Sequence, residues 1–178
     1  SPKSLFATIG LVEGTDLGVI SWRGTSDTDD WIADASPGLR ESLFKTCSNV
    51  LLGQCDLKIP MGFDNNSGMH SAMLQIYNNS FVSNNDKIYT LYGAITNLYP
   101  SNTKWIISGH SLGAALAELC TADLSSKGVK INSSYLFADP SPGNQYYQNS
   151  YNNMSDNFSG EKLSNITYNI KNNNDIVP

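Results

Sequence analysis

Positive charge is scarce in this chain: 11 Lys and Arg face 16 Asp and Glu across 178 residues, a formal charge of -5 at pH 7, with a pI near 4.8. An acidic surface repels phosphate backbones and anionic headgroups, which argues against nucleic acid as a partner and against purely electrostatic attraction to anionic membranes. No run approaches the ~18 consecutive apolar residues of a membrane-spanning helix, so no transmembrane segment is expected. The start, SPKSLFATIG, lacks the basic region and long apolar segment of a signal peptide. It enters an apolar strand pattern almost at once, and we therefore expect that something upstream has been removed. Histidine occurs only twice and cysteine three times, with no metal-ligand spacing, so neither a metal nor another cofactor is expected. Cys47 and Cys55 bracket a loop-like segment and could pair in an oxidising compartment, whereas Cys120 falls on the apolar face of a helical pattern and reads as a small buried hydrophobe. Six glycosylation sequons, at Asn65, Asn78, Asn132, Asn153, Asn157 and Asn165, barely exceed what so much Asn, Ser and Thr would produce by chance. They lean towards secretion without establishing it.

A hydrophobic fraction of 40% supports one substantial core, and residues 1–178 read as a single domain. Leu5 to Glu13 and Leu17 to Trp22 are strand-like runs joined by a turn signal, which predicts an antiparallel hairpin. Asp86 to Leu98 carries apolar residues at helical spacing and is stopped by Tyr99-Pro100. KWIIS then reads as a buried strand. A helical stripe of Leu112, Ala115, Leu116, Leu119 and Cys120 follows, closed by Lys127-Gly128. Ser133 to Pro140 and Ile166 to Lys171 read as strands, and the polar stretch Gly143 to Asn165 between them as a surface excursion. Strand and helix alternate as in an α/β fold with a parallel sheet.

Within this order the segment IISGHSLGAAL, Ile106 to Leu116, raises a chemical question. A Gly-x-Ser-x-Gly pentad is common enough by chance to be weak alone, but here it follows an apolar strand and opens a helix, as a nucleophile elbow requires. In such a turn Gly109 and Gly113 leave space, Ser111 presents its hydroxyl, and the Leu112 amide faces the position where an oxyanion develops. The competing assignment is an ordinary helix N-cap serine.

Five stretches taken together resemble one family. VISWRGTSDTDDWIADA (Val19 to Ala35), MHSAMLQIY (Met69 to Tyr77), the pentad, YLFADPSPGN (Tyr135 to Asn144) and NNNDIVP (Asn172 to Pro178) are similar, in order, to blocks of the class 3 lipases, the fungal-type triacylglycerol lipases of the α/β-hydrolase fold. The resemblance implies a mostly parallel sheet with helices on both faces, truncated at one or both ends. It makes Ser111 the acyl-enzyme nucleophile, Asp175 the triad carboxylate, and Thr25 with Leu112 the oxyanion hole. Losing one such donor typically raises the barrier by about 3 kcal/mol. Neither histidine matches the base: His70 corresponds to a structural position, and His110, beside the nucleophile within the elbow Gly109, His110, Gly113, projects away from it.

The family supplies its base histidine beyond the Asp-Ile-Val-Pro block, and it carries N-terminal helices that are missing here. We therefore expect a piece of a longer enzyme, the alternative being a hydrolase fold that has lost its base and binds lipid or protein. Smaller departures are Ala114, Ala72-Met73 and Ala138. Ser26 to Ala35 takes the place of the family's lid, with Trp31 and Ile32 as an apolar tip and Asp27, Asp29, Asp30 and Asp34 as an acidic face. The expected partner is a neutral lipid or another carboxylic ester at an interface, and the expected setting is extracellular. Phospholipase A1 and feruloyl esterase are alternatives within the enzyme class.

Overall fold

The computed structural model describes residues 7–24, 44–46, 63 and 67–171. Its central sheet has five strands in the order β1-β2-β7-β8-β9. The strands are β1 Ala7–Leu11, β2 Leu17–Trp22, β7 Lys104–His110, β8 Ile131–Phe137 and β9 Thr167–Ile170. β1 and β2 form the expected antiparallel hairpin, and β2, β7, β8 and β9 run parallel. Two short pairs stand apart, β3 Phe44–Thr46 with β4 Gly68–His70 and β5 Val82–Asn84 with β6 Lys87–Tyr89.

The helices are α1 Ser71–Asn78, α2 Leu91–Leu98, α3 Leu112–Ser126, α4 Gln145–Asn153 and α5 Leu163–Ile166. α3 packs on β2, β7 and β8 and against α1. The sheet face under it is made by alternate residues, as a strand's period of two dictates: Ile20 and Trp22 of β2, Trp105 and Ile107 of β7, and Leu136 of β8 are all buried. The stripe expected on this helix widens into an almost complete sleeve, with thirteen of its residues from Leu112 to Ser125 buried. Such a helix is a core element rather than an amphipathic surface one. Each of its buried leucines, among them Leu112, Leu116 and Leu124, stabilises the fold by about 1.5–3 kcal/mol. Cys120 is fully buried and carries no disulfide, and burial pushes its thiol up to about 12. Cys47 and Cys55 lie outside the described residues.

Two segments depart from the sequence expectation. Only Leu91–Leu98 of the stretch from Asp86 is helical, started by Thr90, whose hydroxyl accepts from the Gly93 amide. Lys87–Tyr89 is instead a hairpin strand whose turn holds Asn85 and Asp86 at positive φ, 47° and 61°. Ile88, counted in the helical pattern, is 66% exposed. The second correction concerns Gly143 to Asn165. Asn144 caps α4 through its side chain, and Tyr147 and Tyr151, one turn apart on that helix, are buried in the core. Among the described residues no helix is long and apolar enough to cross a membrane.

Candidate active site

The parallel strands end level with one another, Trp22 beside Gly109, His110 beside Phe137, and Phe137 beside Ile170. In sheets of this kind the carboxyl edge is where ligands meet the chain. Ser111 stands at that edge, between β7 and α3, with φ 55° and ψ -127°. This is a region that L-residues enter at a cost of about 1–3 kcal/mol. Its own amide donates to the Phe137 carbonyl at 2.9 Å, and its carbonyl accepts from the Ala114 amide at 2.8 Å, so both sides of the turn are anchored. The side chain makes no capping bond to the helix. An N-cap serine has extended backbone geometry and a bonded hydroxyl, and Ser111 has neither.

The two glycines of the pentad are required by approach rather than by φ. A methyl group on Gly109 would run into the Gly113 carbonyl and lie 2.7 Å from the Ala114 nitrogen. One on Gly113 would collide with the Trp22 carbonyl oxygen and lie 2.8 Å from the Arg23 carbonyl carbon. Both obstacles are backbone, so strand, helix start and neighbouring strand end can close to this distance only without side chains. The first turn of α3 then holds N–H groups that have no partner inside the helix, Leu112's among them, at the positive end of the helix dipole. The Leu112 side chain is buried in the core, while His110 is exposed.

Gly24, the residue that follows β2 by two, lies against the same turn. A Cβ there would sit 2.8 Å from the His110 carbonyl oxygen and 3.7 Å from Ser111 Cβ. The structure thus brings together Gly109, His110, Ser111, Leu112 and Gly113, with Gly24 beside them. Thr25, Trp31, Ile32 and Asp175 lie outside the described residues. His70, at the end of β4, is half-buried. Among the described residues no group of three or more His, Cys, Asp or Glu is placed to hold a metal ion.

Behind the serine turn is a buried carboxyl pair that sequence reading passed over. Glu118 of α3 and Asp139, two residues beyond β8, are each 2% exposed; their carboxyls are neighbours, joined through Gln148 and Ser141. Gln148 Nε2 donates to Glu118 Oε1 at 2.9 Å. Loss of solvent, and after it the neighbouring Asp139, hold the Glu118 carboxyl well above the usual range. The one available signal was that Glu118 is the only charged residue between Ser111 and Asp123.

The sequence profile of a family described as Lipase (class 3) matches residues 19–178. Phospholipase A1-II 1 of rice (Oryza sativa) is 28% identical over 167 residues, covering 85% of this chain and 39% of its own length. The chain therefore spans well under half of the curated relatives it matches. Among solved structures, the Rhizomucor miehei lipase propeptide complex superimposes with a TM-score of 0.59 at 21% identity, covering 97% of this chain and 46% of that one. M37 lipase does so with a TM-score of 0.65 at 20% identity over 100% and 53%. Lip2 lipase of Yarrowia lipolytica gives a TM-score of 0.63 at 19% identity over 97% and 55%. At these identities the structures bear on fold alone, and the fold they share with this chain is the α/β-hydrolase fold. The family match covers nearly the whole sequence, and the chain belongs to the class 3 lipases.

Proposed function

We propose that this chain is the nucleophile-bearing part of a carboxylic ester hydrolase that works through an acyl enzyme on Ser111. The observation that carries the reading is the backbone of Ser111 itself. A strained, doubly anchored serine that caps nothing, at the carboxyl end of a central strand, is the arrangement in which a hydroxyl is held for attack. In the proposed step Ser111 Oγ adds to the ester carbonyl while its proton passes to a general base. The oxyanion that forms is held by the amides of Leu112 and Thr25. Collapse then expels the alcohol, which takes up that proton, and leaves the acyl group on Ser111 for hydrolysis by water. Thr25 follows Gly24 by one peptide bond, and Gly24 is packed on the serine turn. Asp175 takes the carboxylate role that orients the base, and neither His70 nor His110 is assigned as that base. Trp31 and Ile32 are the proposed lid tip.

The substrates that fit this reading are neutral lipids and related carboxylic esters at an interface, met outside the cell. Similarity to rice phospholipase A1-II 1 favours phospholipids as a second substrate class. Protein carrying its native flanking sequence should hydrolyse a short-chain nitrophenyl ester. Ser111→Ala should reduce that turnover by at least about a thousandfold, since a serine nucleophile and its partners act as one unit. Unchanged turnover in that variant would refute the role of Ser111. A wild-type protein that binds lipid without turning over any ester would instead favour a silent, lipase-like binding module.

A further inference from the structure

The buried pair Glu118 and Asp139 has no part in the chemistry just described, yet it sits where it could govern that chemistry. Glu118 is seven residues along α3 from Ser111, two turns away on the same helix face. Asp139 lies in the loop that leaves β8 after Phe137, whose carbonyl holds the Ser111 amide. That loop is strained and tightly tied. Ala138 and Ser141 have φ of 50° and 60°, and the Ala138 amide donates to the Ile170 carbonyl at 2.9 Å. The Ser141 amide donates to Asp139 Oδ1 at 3.0 Å. Gln148 of α4 donates through Nε2 to both Glu118 Oε1 and, at 2.7 Å, Ser141 Oγ, and Ser141 Oγ donates in turn to the Gly143 carbonyl.

A carboxylate can only accept hydrogen bonds, so two carboxyl groups that bond each other need a proton between them. Two ionised carboxylates this deep in the protein would repel without water to screen them. We propose that Glu118 keeps its proton and donates it in a hydrogen bond to Asp139, so that the two act as a positioning pair that clamps the Ala138–Gly143 loop behind the Ser111 turn and releases it when Glu118 ionises. The groups that face the pair do not replace the proton. From α4, Gln148 already serves Glu118, and Tyr147 and Tyr151 present phenols that the carboxyls push upward in pKa, secondarily to burial. The Tyr147 hydroxyl makes no hydrogen bond among the described residues, and the Tyr151 hydroxyl is bonded to Thr167. Lys171, just past β9, is exposed and offers Glu118 only a weak attraction, the last among the influences on it.

This positioning role rests on the reading of Ser111 as nucleophile, and the test separates the two. Full-length wild-type protein and Glu118→Gln are compared across about pH 5 to 9, the span in which buried carboxyls titrate. The amide that Glu118→Gln introduces would donate to Asp139 and accept from Gln148 without a titrating proton. Wild type should show the infrared carbonyl band of a protonated carboxylic acid at neutral pH, and the variant should lack it. The unfolding midpoint and the kcat for a soluble ester should both fall with rising pH more steeply in wild type, kcat by about tenfold relative to the variant, the ratio expected for one unit of lost proton binding. Parallel profiles and identical infrared spectra in the two proteins would overturn the proposal. If Glu118→Gln does not fold, the wild-type infrared spectrum decides alone: a protonated-acid band at neutral pH supports the proposal, and its absence overturns it. Absence of turnover in wild type at every pH overturns the functional reading and the positioning role with it, while the band and the midpoints still decide the proton on Glu118.

Discussion

At Ser111 the polypeptide holds a conformation that glycine would adopt more easily. A replacement by glycine relieves a strain of about 1–3 kcal/mol and gives back about 0.5–1 kcal/mol through greater freedom of the unfolded chain. Ser111→Gly should therefore unfold at higher urea concentration than wild type, by a net of about 1 kcal/mol, while losing ester turnover. That pairing of gained stability with lost activity is the mark of a residue held for chemistry. An ordinary cap would lose stability on the same change. Gly113 predicts the opposite. Its replacement by alanine forces a methyl group against the Trp22 and Arg23 backbone, so Gly113→Ala should destabilise by about 1–3 kcal/mol in the same urea titration, as overpacking does.

At the level of elements, α3 and the strands beneath it form the platform for the serine. Leu116 is fully buried at its centre, and Leu116→Ala should lower stability by about 2–5 kcal/mol in denaturant unfolding, the range for a cavity of that size. This platform was legible in the sequence because apolar runs and helical spacing coincide there: the β1–β2 hairpin, β7 and the Lys127-Gly128 end of α3 all fall where periodicity and turn residues put them. The helix expected from Asp86 was too long because Ile88 falls by coincidence on the helical period that Leu91, Tyr92, Ile95 and Leu98 truly share. The turn at Asn85 and Asp86 and the Thr90 cap override that pattern locally. In α4 the polar composition hid two buried rings, since only Tyr147 and Tyr151 of its nine residues face the core. The serine turn was readable because its residues are contiguous in the sequence. The Glu118–Asp139 pair was not, because its members sit on different elements and only the crossover from α3 through β8 brings them together.

For the molecule as a whole, pH should act on stability with a definite sign. Glu118 keeps its proton in the folded state at pH values where the unfolded chain, titrating near the ordinary 4.5 of a solvated glutamate, has already lost it. The folded protein then binds more protons, so this contribution is fully present below the unfolded pKa and declines as pH rises towards the folded one, by about 1.4 kcal/mol per pH unit. The exposed Asp16 works in the opposite sense. Its hydrogen bond and attraction to Lys104 lower its pKa, which favours the folded state above the unfolded pKa and is lost in acid. Urea unfolding of wild type and Glu118→Gln at a series of pH values isolates the first effect, because Asp16 is common to both.

The most direct test of the central claim is covalent capture. A fluorophosphonate added to the protein in its native flanking sequence should attach to one residue, and peptide mass mapping should find it on Ser111, with ester turnover lost in proportion to the label. Full turnover with an unmodified Ser111, or a label and loss of activity traced to another residue, would contradict the account.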